Sequence, residues 1–226
     1  MEPVVTLWRP AMKRFEAVIF DLDGVLVISE SINVEAMVIT MWLHGMPLTE
    51  EEIRTIPGRS SIDAIPGFLK SRGIPESEYM AIVDENRARY DSLWDTKVEL
   101  APHADIVVQS LRCKSIPLAI GTTNRRSVVE KFINRFGFDS AFSVIVTGRD
   151  VARRKPDPEV YVLTQQKIGV PREKILVVED TAFGVAAAKD ASLACAAIPS
   201  EFFRDQDFSR ADFLMSSLHD LLAIVC

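Results

Sequence analysis

The chain has 226 residues, 48% of them hydrophobic and 26% charged, with ten glycines and twelve prolines. That balance excludes a disordered or collagen-like polypeptide, and the length suits one compact domain or a domain carrying an insert. No apolar run approaches the ~18–20 residues of a membrane span, and a net charge of −6 without long blocks of like charge argues against nucleic acid or membrane as partners.

A small, locally neutralised ligand is the better expectation for such a chain. Residues 1–14 read as an unstructured or loosely docked lead-in, with no apolar stretch long enough for secretion. Cys113, Cys195 and Cys226 lack paired or metal-like spacing. They read as reduced thiols of a cytoplasmic protein. A monomer or weak dimer is expected.

Short apolar runs, each ending abruptly in polar or small residues, punctuate the chain. They are AVIF (17–20) before Asp21, PLAI (117–120) before Gly121-Thr122-Thr123-Asn124, SVIV (143–146) before Thr147, and ILVV (175–178) before Glu179-Asp180. Runs of this length without alternation suit strands buried on both faces of a parallel sheet. LACAAI (193–198), DFLM (212–215) and a helix at about 217–224 continue the style. Between them, 125–136 places Val128, Phe132, Ile133 and Phe136 on one helical face, and 158–168 does so with Val160, Leu163 and Ile168. Strand alternating with helix predicts an α/β fold with a doubly wound parallel sheet.

The rhythm breaks between Val27 and Glu99, where no strand-like run is found and helix formers dominate. Glu30–His44 reads as a helix with Ile32, Ala36, Ile39 and Leu43 on one side. Thr49–Ile53 opens with a cap-and-acid start, and Tyr79–Trp94 is a long amphipathic segment. Met41, Trp42 and Trp94 read as core of this region, and His44 as the helix C-terminal residue. The expectation is an all-helical insert at 27–99, within a core made of 1–26 and 100–226. Ligands of such sheets sit beyond the carboxyl ends of the strands. An insert leaving from the first strand therefore lies over the site as a lid.

Asp21 and Asp23 leave the first strand on the same side, with Gly24 allowing a tight turn. A second acidic pair, Glu179-Asp180, ends another strand. Carboxylates gathered without histidine or cysteine describe a hard, oxygen-seeking cation, best matched by Mg²⁺. Thr122 and Lys155 lie in neighbouring loops and suit a tetrahedral oxyanion. Cation, lysine, hydroxyl and main-chain N–H groups are the needs of phosphoryl transfer. Each piece alone is a common turn or cap; their order, each beside a strand end or before a helix, carries the inference.

With DLDGVL (21–26), IGTTN (120–124), KPDPEVY (155–161) and VVEDTAFGV (177–185), the chain resembles the haloacid dehalogenase superfamily of phosphohydrolases. The likeness is to the subgroup with a helical cap that contains β-phosphoglucomutase and phosphoglycolate phosphatase. The resemblance implies a Rossmann-like core and an aspartyl-phosphate mechanism. It makes Asp21 the nucleophile and Asp23 the general acid, then base. Mg²⁺ would be held by Asp21, the Asp23 carbonyl and Asp180, with Glu179 bound to it or just behind. Thr122 and Lys155 would grip the phosphoryl oxygens, helped by N–H groups of Leu22, Asp23 and Thr123. Gly184 falls behind the metal-binding acids. True haloacid dehalogenases lack the second acid, so Asp23 favours phosphate esters.

Three departures stand out. Ile28 replaces a usual aspartate, Asn33 stands where phosphoglucomutases carry a histidine, and Asp190-Ala191-Ser192-Leu193 lacks a separating glycine. Asn33, Arg59 and Asn124 are the candidate contacts to the non-reacting part of the substrate. The implied activity is a Mg²⁺-dependent phosphatase for a small sugar or polyol phosphate. A phosphosugar mutase and a catalytically idle binding module of the same fold are the alternatives.

Overall fold

The computed structural model describes residues 15–225; the expected lead-in at 1–14 and Cys226 lie outside the described residues. Strand β1 (Ala17–Phe20) is followed by a two-residue strand β2 (Val27–Ile28), and then by helices α1 (Glu30–Leu43), α2 (Glu50–Arg54), α3 (Ser61–Ser71) and α4 (Glu76–Lys97). A second short strand, β3 (Glu99–Leu100), precedes α5 (Ala104–Cys113), β4 (Leu118–Gly121), α6 (Arg126–Phe136) and β5 (Val144–Val146). The remainder is α7 (Glu159–Ile168), β6 (Ile175–Glu179), α8 (Ala182–Asp190), β7 (Ala194–Ala197), β8 (Phe213–Leu214) and α9 (Leu221–Val225).

Six strands form one parallel sheet in the order β5-β4-β1-β6-β7-β8. Ile19 sits opposite Ala119 on one side and Val177 on the other, so β1 is paired along both edges. The apolar runs work as the two-residue period requires. Val18, Phe20, Leu118, Ile120, Leu176 and Val178 enter one core, while Ala17, Ile19, Ala119, Ile175 and Val177 enter the other. Helices cover both faces, as expected for a doubly wound sheet. Among the described residues no helix is long and apolar enough to cross a membrane.

Helices α1, α3 and α4 of the cap share an apolar cluster of their own, including Met37, Met41, Ile65, Leu69 and Val83. Thr49 and Glu52 close a reciprocal capping box at the start of α2. His44 caps the end of α1, and its ring Nε2 lies 2.8 Å from Glu85.

Some expectations need correction. The stretch from 27 to 99 is not free of strand: β2 and β3 pair antiparallel, with Val27 opposite Leu100 and Ile28 opposite Glu99. The inward face of α1 is Ile32, Ala36, Met37, Thr40 and Met41, whereas Leu43 is 55% exposed and Ile39 half-buried. The helix is turned so that its methionines fill the cap cluster and Thr40 accepts from Asn86 and Arg89 on α4. Of the expected cap-core residues only Met41 belongs there. Trp42 is 64% exposed in the last turn of α1, and Trp94 is buried in the main core instead. Where a glycine is missing between α8 and β7, Ser192 makes the turn itself at φ 60°.

Candidate active site

The strand order reverses across β1, which has β4 on one side and β6 on the other. That is where an open α/β sheet presents its ligand crevice. Asp21 follows β1, and its N–H donates to Val178 O at 3.0 Å, prolonging the ladder so that the residue is held by main chain. Thr122 is fixed in the same way, its N–H donating to Val146 O at 3.0 Å. Both are buried, as are Glu179 and Asp180 at the end of β6.

Asp21, Glu179 and Asp180 bring carboxylate oxygens within 4.8 Å of one another. Lys155 bridges two of them, with Nζ 2.8 Å from Asp21 Oδ1 and 2.6 Å from Glu179 Oε1. The Tyr161 hydroxyl also donates to Glu179 Oε1, and the Asp180 N–H donates to Oε2 at 3.1 Å. Glu179 is thus the member most fully engaged by protein donors.

Two glycines make room for this cluster. A Cβ on Gly24, which sits at φ +77°, would lie 1.9 Å from Asp180 Oδ2. One on Gly184 would lie 1.9 Å from Glu179 Cδ. Gly184 also donates its N–H to Thr181, the cap of α8, at 3.0 Å. The acids and the start of α8 are therefore packed as one unit.

Burial dominates the electrostatics. It pushes Asp21 up to about 7, Lys155 opposing and the charges of Glu179 and Asp23 adding. Asp180 is raised well above the carboxylate range, first by burial and then by Glu179 and Asp21. Burial works against the Lys155 charge, but Asp21 and Glu179 outweigh it and hold the ammonium above its ordinary value. The donor set is all oxygen, short of positive charge and closely gathered, so these residues fit a hard divalent cation.

Asp23 lies outside that carboxylate cluster. Ser29 Oγ donates to its Oδ1 at 2.5 Å, and Asn124 Nδ2 donates to its Oδ2 at 2.8 Å. The Leu22 side chain is buried in the core, which leaves only its main chain to face a ligand. Thr123, Asn33, Arg59 and Asn124 all line one cavity of about 210 Å³ together with Asp21, Asp23, Thr122, Lys155 and Asp180. The amides expected to meet substrate have protein partners. Asn33 donates to Glu30 Oε1 at 2.9 Å and to Arg59 O at 3.1 Å, while Arg59 itself donates to Asp63 O at 2.6 Å.

Four residues of the site were not singled out from the sequence. Tyr161 lies inside the KPDPEVY stretch, and Ser29 lies just after the first motif, so both had a positional signal. Glu30 accepts from Gly58 N–H at 3.1 Å and from Asn33, and burial pushes its carboxyl up to about 7. Tyr90 reaches in from α4 to line the cavity beside Asn124 and Ser29, and burial raises its phenol well above the ordinary value. Neither spacing nor composition marks those two.

The family model of the haloacid dehalogenase-like hydrolases matches residues 18–198. The phosphorylated carbohydrates phosphatase of Thermotoga maritima is 33% identical over 181 residues, covering 79% of this chain and 82% of that one. Validoxylamine A 7′-phosphate phosphatase of Streptomyces hygroscopicus subsp. limoneus is 28% identical over 209 residues, with coverage of 92% and 96%. The crystal structure of CbbY from Rhodobacter sphaeroides in complex with phosphate superposes with a TM-score of 0.83 at 29% identity. The match covers 93% of this chain and 99% of that one. Every strand-end acid described above falls within the matched stretch, and the chain belongs to the haloacid dehalogenase-like hydrolases as a phosphatase.

Proposed function

We propose that the protein hydrolyses a small phosphorylated carbohydrate or polyol, with Mg²⁺ bound, through an aspartyl-phosphate on Asp21. The observation that carries this reading is the salt bridge of Lys155 to both Asp21 and Glu179 beside Asp180, at the carboxyl ends of the strands. Asp21, Asp180 and the Asp23 carbonyl would hold the cation, backed by Glu179. Once bound, it supplies positive charge to offset the carboxylates and the phosphoryl oxygens.

Lys155, the Thr122 hydroxyl and the N–H groups of Leu22, Asp23 and Thr123 grip the phosphoryl group, because its transfer depends mainly on positioning and charge neutralisation. An Asp21 oxygen attacks phosphorus while the bond to the leaving alcohol breaks, and Asp23 gives that alcohol its proton. Asp23 then takes a proton from water, which attacks the aspartyl-phosphate and frees phosphate and Asp21. The cap closes over the cavity and excludes bulk water. The validoxylamine and carbohydrate phosphatases among the relatives support a hydroxylated leaving group.

Purified protein with Mg²⁺, offered phosphoglycolate, hexose and deoxyhexose 6-phosphates, polyol phosphates and nucleotides, tests the reading by phosphate release. Sugar or polyol phosphates should be the best esters, and Asp21→Asn should abolish turnover. Turnover that survives Asp21→Asn would overturn the nucleophile assignment. A preference for nucleotides would overturn the substrate class.

A further inference from the structure

We infer that Asn124 is a positioning residue for Asp23: its amide fixes one carboxyl oxygen of the acid–base group and so assigns the exchangeable proton to the other. This rests on the reading of Asp23 as general acid and base.

The orientation of the Asn124 amide is forced by chemistry. Its Oδ1 accepts the Arg125 main-chain N–H at 2.7 Å. A main-chain N–H only donates, so the oxygen must face it and the NH₂ must face Asp23. That NH₂ lies 2.8 Å from Asp23 Oδ2 and also can only donate, which leaves no room for a proton between them. The other oxygen, Oδ1, faces Ser29 Oγ at 2.5 Å. A hydroxyl donates or accepts by rotating, so this side alone tolerates both protonation states of the carboxyl.

The holder is completed from the cap. Tyr90 on α4 lines the same cavity beside Asn124 and Ser29. The residue after each tyrosine and asparagine locks the pair together: Arg125 makes two bonds to Asp91, at 2.9 and 2.5 Å. The Asn124 N–H also donates to the Thr122 hydroxyl at 3.1 Å, tying the acid's holder to the phosphate grip. Without the amide, Ser29 holds the Asp23 carboxyl by one oxygen, and the proton loses its fixed direction toward the leaving oxygen.

The dependence on leaving group separates this role from a structural one. Phenyl and 4-nitrophenyl phosphate have similar shapes, but phenolate needs a proton to leave far more than nitrophenolate does. We expect Asn124→Ala to lower kcat/KM on phenyl phosphate by roughly tenfold or more, and on 4-nitrophenyl phosphate by less than roughly threefold. Asn124→Asp keeps an oxygen for the Arg125 N–H and keeps the side chain's shape, yet offers Asp23 no donor. It should show the same split. Asn124→Asp matching the wild type on both esters, or losing equally on both, would overturn the inference when Asp23→Asn itself shows the split. If Asp23→Asn shows no split, the acid–base reading of Asp23 fails, and the role of Asn124 fails with it.

Discussion

Glu30 offers a test of how burial sets charge at the seam between cap and core. Its carboxylate accepts from the Asn33 amide and from the Gly58 N–H, and burial lifts it from 4.5 to about 7 despite both donors. A group whose folded value lies above its unfolded one binds protons more tightly when folded. The Glu30 contribution to stability is therefore fully present below about pH 4.5 and is lost as pH rises toward 7, after which it levels. At about 1.4 kcal/mol for each pH unit, that rise corresponds to about 3 kcal/mol, and water reaching the half-buried side chain reduces it to about 2 kcal/mol. Glu30→Gln keeps an acceptor for both donors and removes the charge. The variant should gain about 4–8 °C in Tm relative to wild type at pH 8 and much less at pH 5. Melting curves of both proteins across that range decide the matter. Parallel dependence on pH would show that Glu30 titrates as a solvated acid and would refute the reasoning.

Other outcomes follow from the same geometry. Gly184→Ala places a methyl against the Glu179 carboxylate, so stability should fall by about 1–3 kcal/mol and Mg²⁺ should bind more weakly by calorimetry; unchanged affinity would refute the cradle. Mg²⁺ should raise Tm more at pH 8 than at pH 5.5, because Asp21, pushed up to about 7, must shed its proton to bind it. An equal rise at both would contradict this. Ser192→Gly relieves a left-handed turn made by a serine and should stabilise the fold by about 0.5–1 kcal/mol in denaturant titration. A loss there would mean the serine side chain matters more than its backbone.

The sheet was legible because its strands are buried on both faces. Each predicted apolar run overlaps an observed strand, and the acids at their ends meet because the topology puts those ends side by side. What escaped has physical reasons. β2 and β3 are two residues long, too short for any period to register. Pro66 and Gly67 lie within α3 and disguise it, since both residues disfavour helix interiors. The orientation of α1 depends on α4 and cannot be read from α1 alone. Tyr90 and Glu30 look like ordinary helix residues, and only packing across the cap–core seam gives them their buried surroundings.

The two short strands at the base of the cap have a wider meaning. Val27 faces Leu100 across one rung, so the chain departs from the core and re-enters it at neighbouring points. A module joined through adjacent ends is exchangeable: another helical unit spliced at the same rungs alters which alcohol is admitted, provided that it keeps Ser29 on Asp23 and an acid for Arg125. Trp94 sets the limit on such grafting. Its ring is packed among core residues, so a transplant must carry that anchor or leave a hole beneath it.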